Sequence, residues 1–266
     1  MDRLSKLEND SIYIIREAYY QFKDTAALWS IGKDSTTLLW LIRKAFFGEI
    51  PFPVIHIDTT YKFKEIYEFR EKYAKKWRLK LLVCKNQTAL DNGVCPKNGK
   101  LNCCSELKTN TLKQAVKRCG LRALYLGIRR DEHGIRAKER FFSPRNKNFD
   151  WNYKSQPPEL WNQYAAKAEN EEHMRIHPLL SWNEIDVWRY IRREKIPVVR
   201  LYLASKGRRY RSIGCAPCCA PVKSGAGTID KIIEELQKSK ISERGGRAQD
   251  KESAYMMQKL RSLGYM

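Results

Sequence analysis

The stretch Ala26-Ala27-Leu28-Trp29-Ser30-Ile31-Gly32-Lys33-Asp34-Ser35-Thr36-Thr37-Leu38-Leu39 carries the strongest structural signal in the chain. Its apolar start predicts a short buried strand, and its apolar end predicts the first turns of a helix. Between them, loop amides face outward at a helix N-terminus, Gly32 allows close approach of the backbone, and Lys33 adds a positive charge. The Walker spacing is absent. We predict a phosphate-binding turn, with an ordinary strand-to-helix turn as the alternative.

Segments of strand and helix character alternate around this turn. Strands are predicted over residues 25–29, 53–57, 80–84 and 123–126, and helices over residues 4–22, 34–47, 64–77, 105–119 and 182–193, the last capped by Ser181. Residues 86–102 are predicted as a loop and residues 141–170 as an aperiodic excursion. The alternation predicts an α/β fold with a parallel sheet and right-handed crossovers. Ligands of such sheets lie beyond the carboxyl ends of the strands, where the turn, Asp58 and Gly127 fall.

Composition favours a folded, strongly basic protein. The chain has 266 residues, 42% of them hydrophobic and 11% aromatic, which is enough for a sizeable core. The net charge is +21, from 51 Lys and Arg against 30 Asp and Glu, and such a charge attracts polyanions. A generally basic proteome or an acidic protein partner is the alternative. No apolar run has membrane-spanning length and the N-terminus lacks a signal core, so we expect a cytoplasmic protein without membrane association.

The eight cysteines include a pair and a C-x-x-C that predict a metal centre. Cys103 and Cys104 are adjacent, while Cys215 and Cys218 are separated by two residues. Four thiolates in this pattern can hold a [4Fe–4S] cluster, and structural zinc is the alternative. Cys219 lies beside the C-x-x-C in a basic region, so it is predicted either as a reactive, sulfur-carrying thiol or as a small buried hydrophobe.

Longer stretches resemble a known superfamily. The Ser-x-Gly-Lys-Asp-Ser turn resembles the pyrophosphate loop of the N-type ATP pyrophosphatases, and the whole chain resembles the small subunit of two-subunit ATP sulfurylase within the phosphoadenylylsulfate reductase superfamily. The matching stretches are residues 51–59, 129–132, 136–140, 158–161, 182–188 and 242–247. The resemblance implies a Rossmann-like adenine nucleotide alpha-hydrolase fold with a C-terminal helical lobe, and ATP and Mg²⁺ as cofactors. It divides the chain into an ATP pyrophosphatase domain (1–200) and a lobe with the C-x-x-C and basic residues (201–266).

The cysteine pattern resembles that of assimilatory adenylylsulfate reductases, but the chain departs from both groups. It ends Ser262-Leu263-Gly264-Tyr265-Met266, without the nucleophilic cysteine of the reductases, and Ile31 stands where both groups commonly have Gly. Sulfurylase-like sequence with cluster cysteines resembles the DNA phosphorothioation sulfurtransferases of the SspD and DndC type. This resemblance implies adenylation of a DNA backbone phosphate, followed by sulfur insertion.

Three functions follow as hypotheses. The first is the DNA-modifying sulfurtransferase, with DNA and a cysteine desulfurase as partners and homo-oligomers as a possible assembly. The second is a sulfate adenylyltransferase small subunit or an adenylylsulfate or phosphoadenylylsulfate reductase. The third is an inactive nucleotide sensor that scaffolds a partner.

The resemblance assigns roles to particular residues. Residues Ser30, Gly32, Lys33, Asp34 and Ser35 would hold pyrophosphate and magnesium, with Lys33 and Asp34 also catalytic, and Gly127 would border the nucleotide. Arg129 and Arg130 would stabilise the transferring phosphate, with ion pairs to Asp131 and Glu132 as the alternative. Asp58 would orient adenosine or a metal ion, or simply cap a helix.

Overall fold

The computed structural model describes residues 1–154, 156–164, 171–239 and Glu243. Within these residues, eight strands form a six-stranded sheet and a small hairpin. They are β1 Thr25–Leu28, β2 Val54–Ile57, β3 Leu81–Cys84, β4 Ala123–Tyr125, β5 Phe142–Asn146, β6 Glu171–Ile176, β7 Arg208–Arg209 and β8 Val222–Lys223. The α-helices of the described residues are α1 Arg3–Phe22, α2 Lys33–Ala45, α3 Lys64–Lys76, α4 Gln87–Asp91, α5 Lys100–Cys104, α6 Thr111–Arg118, α7 Glu184–Glu194 and α8 Ile229–Lys238.

The sheet has the order β3-β2-β1-β4-β6-β5, and every neighbouring pair is parallel except β5 with β6. The chain runs from β1 outward to β2 and β3, and then returns to place β4 on the other side of β1. This change of direction opens a crevice beyond the carboxyl ends of β1 and β4. The turn that is predicted to bind phosphate follows β1, and the predicted α/β fold is confirmed.

Strand β1 is buried on both faces. Alternation along the strand places Ala27 and Trp29 in one hydrophobic cluster, and Ala26 and Leu28 in another. Helices α1, α2, α7 and α8 contribute to the first cluster, and α6 contributes to the second. Helices therefore cover both faces of the sheet, as an apolar parallel strand requires.

The structure corrects several predicted boundaries. The polar stretch 86–102 holds α4, whose N-cap Asn86 accepts the Ala89 N–H at 3.1 Å, and the start of α5. The helix predicted over 105–119 begins with a π-helical turn, Ser105–Asn110. Helix α7 is capped by Asn183 rather than Ser181, because Asn183 and Asp186 form a reciprocal capping box. The excursion 141–170 contains the antiparallel strand β5.

The region after residue 200 shares the main core. Ile232 and Ile233 of α8 belong to the same cluster as Val187 and Ile191 of α7. The division into residues 1–200 and 201–266 stays a prediction, and residues 240–242 and 244–266 of the second unit lie outside the described residues. Among the helices that the structure describes, none has the length and apolar character needed to cross a membrane.

Gly127, directly after Leu126, is required by close packing against the turn. A Cβ at this position would lie 3.0 Å from the Asp34 carbonyl carbon and oxygen and 3.0 Å from the Ser35 Cα. These are backbone atoms at the start of α2, which cannot move as a flexible side chain can. The glycine thus lets the β4 loop approach the turn that follows β1.

We predict that Gly127→Ala lowers the free energy of unfolding by about 1–3 kcal/mol, because the new methyl group overpacks a backbone contact. Urea denaturation followed by circular dichroism measures the change. Gly134→Ala is the matched control, since a Cβ there meets no atom within 4 Å. Equal effects of the two substitutions would contradict the packing argument.

Candidate active site

The turn after β1 has the geometry of an anion-binding helix N-terminus. Gly32 is the N-cap of α2 and has no side chain that could cap the helix itself. The Ser30 and Ser35 hydroxyls lie 3.1 Å apart, and the Ser35 hydroxyl also donates to the Gly32 carbonyl at 3.1 Å. The Lys33 N–H donates to the Tyr202 hydroxyl at 2.9 Å. Two hydroxyls and a helix N-terminus therefore face the same crevice.

Ile31 holds this turn in a strained conformation. Its φ of 66° lies in the left-handed region, which a β-branched residue rarely adopts. The side chain is 1% exposed and packs in the main hydrophobic cluster. A conformation that costs about 1–3 kcal/mol is thus maintained by buried apolar contacts. The left-handed φ also explains why a glycine suits this position in the resembling loops.

Two buried cations and two carboxylates form a charge network beside the turn. The Lys33 ammonium lies 3.1 Å from Asp34 Oδ2 and 2.5 Å from Glu243 Oε1. Arg129 lies in the loop after β4. Its guanidinium pairs with Asp34 and lies 2.6 Å from Glu243 Oε2. Its Nε also donates to Asp131 at 2.9 Å. The Lys33 and Arg129 side chains are fully buried.

The network fixes the charge states of its members. Burial acts to raise the pKa of Glu243, but the adjacent Lys33 and Arg129 outweigh it and lower the pKa well below its usual range. Burial acts to lower the pKa of Arg129, but Glu243, Glu132 and Asp131 raise it overall. Glu243 therefore stays ionised and Arg129 stays cationic, so these two groups carry fixed charges.

The crevice is a cleft that extends from the turn to several other parts of the chain. Ser30, Gly32 and Ser35 lie on one side, and Gly127 and Ile128 lie beside them. The remaining walls contain the ion pair of Glu132 with Arg136, the segment 212–214, and the side chains of Lys62 and Lys108.

The structure separates the two candidate arginines. Arg129 joins the network at the turn, whereas Arg130 donates to the Ser181 hydroxyl at 3.3 Å and its guanidinium lies 5.2 Å from the centre of the Phe141 ring. Arg130 is therefore directed toward the α7 side and not into the network. The predicted alternative to a phosphate-stabilising role was an ion pair with Asp131, and Arg129 does form this pair. It also pairs with Asp34 and Glu243.

Asp58 has a full set of partners near the end of β2. It accepts the Thr60 N–H at 2.8 Å and the Tyr67 hydroxyl at 3.0 Å. Its other oxygen lies 3.6 Å from Arg70 and 3.5 Å from Lys85. These contacts form an Asx-type turn and not the helix cap that was the predicted alternative, because the N-cap of α3 is Phe63.

The four predicted ligand cysteines come together from distant parts of the chain. Cys103 and Cys104 lie on α5, and Cys215 and Cys218 lie on the C-x-x-C turn, all four buried. The turn is attached to the segment after β2, where the Cys215 thiol lies 3.1 Å from the Thr59 hydroxyl.

The thiols are close enough to interact electrostatically. Burial raises the pKa of Cys103, and Cys104 and Cys215 raise it further, to about 12. Burial and the nearby Cys215 likewise raise the pKa of Cys218. Within the described residues, no three His, Cys, Asp or Glu side chains are arranged around a single metal ion. Cys103, Cys104, Cys215 and Cys218 therefore lie near one another, but within the described residues they do not form a ready site for a single metal ion.

Cys219 directly follows the C-x-x-C turn and contacts a residue of the cleft wall. Its Sγ accepts the Gly214 N–H at 3.0 Å, and Gly214 lines the cleft. The side chain is partly exposed, unlike the four clustered cysteines.

Several site residues have no recognisable local signal. Tyr202 and Lys62 are isolated in sequence, and Lys108 lies on a turn expected to be an ordinary helix. Glu132, Arg136 and Glu243 do lie in stretches that resemble ATP sulfurylase small subunits, so the resemblance could have singled them out. Their roles emerge only when the fold brings β4 and residue 243 to the turn.

Taken together, the sheet order and the turn define a protein of the Rossmann-like adenine nucleotide alpha-hydrolase type. The family model described as "Phosphoadenosine phosphosulfate reductase domain" matches residues 24–221. The chain belongs to this family.

Curated relatives match over the full length. The chain is 41% identical to "Sulfate adenylyltransferase subunit 2" of Colwellia psychrerythraea, with 100% of this chain and 99% of the relative covered. It is 40% identical to the protein of the same name from Saccharophagus degradans, over 100% and 98% of the two chains.

Solved structures share the fold at low sequence identity. The phosphoadenylyl-sulfate reductase of Candida auris has a TM-score of 0.57 and 17% identity, with 83% of this chain and 98% of that chain covered. The Candida glabrata FMN adenylyltransferase in complex with ATP has a TM-score of 0.57 and 18% identity, with coverage of 80% and 61%.

These relatives correct the main functional interpretation. Phosphorothioation of DNA is wrong as the first hypothesis, because full-length relatives at about 40% identity carry the name sulfate adenylyltransferase subunit 2. The superfamily resemblance is confirmed, and the sulfurylase alternative fits better than the SspD and DndC type. DNA, a cysteine desulfurase and homo-oligomers as partners stay predictions.

We predict that Glu243→Gln removes an acid-sensitive part of the stability. Because the folded-state pKa of Glu243 lies below its unfolded value, this contribution is complete above about pH 4.3 and is lost as the pH falls through the folded-state pKa. At pH 7 the variant should lose about 3 kcal/mol of unfolding free energy, since two buried cations lose a partner. The difference in unfolding free energy between the variant and the unmodified protein should become smaller toward pH 3.

Urea denaturation from pH 7 to pH 3 measures both quantities. Glu234→Gln, at an exposed position of α8, is the control and should leave the stability at pH 7 nearly unchanged. A constant difference between the Glu243 variant and the unmodified protein across this pH range would contradict the assignment.

Proposed function

We propose that this protein is an ATP-dependent adenylyltransferase that transfers AMP to a small oxyanion, with sulfate as the acceptor. The observation that carries the proposal is the position of Lys33 and Arg129, two buried cations beside the N-terminus of α2 at the switch point of the sheet. This arrangement suits the β and γ phosphates of a nucleotide. The name shared by the full-length relatives supports sulfate as the acceptor.

The turn supplies the contacts that a departing pyrophosphate needs. Hydroxyl groups of Ser30 and Ser35 and the amides at the start of α2 would donate to phosphate oxygens. Lys33 and Arg129 would offset the negative charge that collects on pyrophosphate as its bond to the α-phosphate breaks. An oxygen of sulfate forms the new bond to the α-phosphorus, so the products are adenylylsulfate and pyrophosphate.

Mg²⁺ fits the oxygen donors on the turn. Asp34 has a side chain that is 16% exposed and lines the cleft, next to the Ser35 hydroxyl. Carboxylate and hydroxyl oxygens are the ligand type that Mg²⁺ prefers alongside phosphates. A bound Mg²⁺ would screen the charge of the triphosphate, and Asp34 and Ser35 are the residues that would hold it.

The Glu243 carboxylate would compete with the nucleotide phosphates for Lys33 and Arg129. Its two carboxylate oxygens lie 2.5 Å from Lys33 and 2.6 Å from Arg129, where phosphate oxygens would also bind. We expect a triphosphate to take over part of these ion pairs. The carboxylate thus keeps both cations oriented while no phosphate is bound.

We further propose that Cys103, Cys104, Cys215 and Cys218 hold an iron–sulfur cluster. Support comes from their burial and mutual proximity, and from the adjacent pair, which is unusual for a zinc site. A multinuclear cluster also suits thiols that are not arranged around one ion. The raised pKa values of Cys103 and Cys218 imply that binding would release protons from these thiols.

The products of ATP cleavage test the proposed reaction. ATP labelled separately in the α and γ phosphates should give labelled adenylylsulfate and pyrophosphate when sulfate and Mg²⁺ are present. Lys33→Met should reduce the rate at least about 100-fold, because the transition-state charge loses a fixed cation. Formation of ADP and phosphate, or an unchanged rate in the variant, would contradict the proposal.

A charge-balanced variant separates catalysis from folding. Lys33→Met alone leaves Asp34 and Glu243 with one cation fewer, whereas Lys33→Met combined with Glu243→Gln removes one charge of each sign. The double variant should recover stability without recovering activity, as measured by denaturation and by pyrophosphate release.

Anaerobic purification with iron and sulfide analysis tests the cluster. We expect about four irons and four sulfides per chain, lost in Cys218→Ser and retained in Cys119→Ser, whose cysteine is exposed and outside the cluster. A zinc-only protein, or iron that survives Cys218→Ser, would overturn this assignment.

A further inference from the structure

Lys62 and Arg129 reach the cleft from opposite sides of strand β1. Lys62 follows β2, whereas Arg129 follows β4, and β1 with its turn lies between those strands. The Lys62 side chain lines the cleft and also an adjoining small recess with Ser30 and Lys108. The phosphate-binding turn is therefore bordered by cations on both sides.

In the part of the chain that the structure describes, the groups that favour the charged form of Lys62 are Asp58 and the thiols of Cys215 and Cys219. There, its ammonium makes neither an ion pair nor a hydrogen bond, although the side chain is partly buried. Asp58, the acidic neighbour, is already bound to Thr60, Tyr67, Arg70 and Lys85.

The surroundings make that charge costly. The recess is otherwise lined by Leu28, Trp29 and Ile57, which cannot solvate an ammonium group, and the second cation Lys108 repels it. Such an arrangement is stabilised when an anion binds between the two ammonium groups. Two cations and the Ser30 hydroxyl suit a compact dianion with several acceptor oxygens.

The position of the recess relative to the turn indicates which anion would bind there. If the β and γ phosphates lie toward Lys33 and Arg129, the Lys62 side of the turn is opposite the leaving pyrophosphate. In phosphoryl chemistry the attacking and leaving oxygens lie roughly in line, so the attacking group has to approach from that opposite side. Cations there also offset the repulsion between the acceptor dianion and the α-phosphate.

We propose that Lys62, together with Lys108 and Ser30, forms the subsite for the acceptor oxyanion, a tetrahedral dianion of the sulfate type. The inference rests on the proposed adenylyl transfer for the identity of the reaction, but binding of the dianion can be measured without turnover. Lys62 is then a specificity-determining residue that acts on the acceptor and not on ATP.

Amine footprinting tests the subsite without turnover. The protein is acetylated with and without sodium sulfate, at ionic strength matched by sodium chloride, and each lysine is quantified by mass spectrometry. Sulfate should protect Lys62 severalfold and leave Lys64, whose side chain is 87% exposed, unchanged. Equal modification of Lys62 in both salts would overturn the proposal, even if the protein forms adenylylsulfate.

Kinetics then test the role in the reaction. In Lys62→Met the KM for sulfate should rise about tenfold or more, while the KM for ATP stays within about twofold. Lys62→Arg should recover part of the sulfate affinity, and Lys64→Met is the matched control for loss of a lysine. A rise in the KM for ATP alone, or loss of bound iron with an unchanged KM for sulfate, would overturn the proposal.

The proposed adenylyl transfer and the proposed acceptor subsite can be rejected independently of each other. Protection of Lys62 by sulfate without any pyrophosphate release would retain the subsite and reject the adenylyl transfer. Pyrophosphate release that depends on sulfate, without protection of Lys62, would retain the transfer and reject the subsite.

Discussion

The buried ion pairs of Lys33 and Arg129 with Asp34 and Glu243 are the interaction on which the site depends. They join the end of β1, the loop after β4 and a residue more than a hundred positions further along. Buried charges are costly to desolvate and are tolerated only when each has good partners. The carboxylates of this network therefore orient two cations that would otherwise be unstable inside the protein.

Sheet topology explains why these cations can serve one ligand. Because β1 lies between β2 and β4, loops from both neighbours converge on the turn that follows it. Arg129 comes from one neighbour and Lys62 from the other. A parallel sheet with a switch point thus places positive charge on both sides of the turn after β1 without long insertions.

Local patterns in the sequence were sufficient for much of the fold. The strand, turn and helix from residue 25 to residue 45 were predictable because burial and helix capping act over a few residues. The capping of α4 by Asn86 was missed, since a short polar helix has little apolar periodicity. Neither could pattern alone distinguish Arg129 from Arg130, because their difference lies in distant partners such as Glu243 and Ser181.

Net charge was the weakest guide to function. Several arginines that contribute to the net charge form ion pairs with acidic side chains of the protein itself. Arg145 pairs with Glu139, Arg209 with Glu235 and Arg211 with Glu184. A residue count cannot reveal such pairing, because it depends on which acidic side chains the fold brings close.

Ile31 has a consequence for how ligands bind. Its side chain fastens the turn to the protein interior, so the backbone is ordered during folding rather than during recognition. Binding of an anion would then require little further ordering of the turn, so the entropy cost of binding would be small. Affinity in such a preorganised cradle depends on the matching of charges, and changes in those charges alter binding while the cradle keeps its shape.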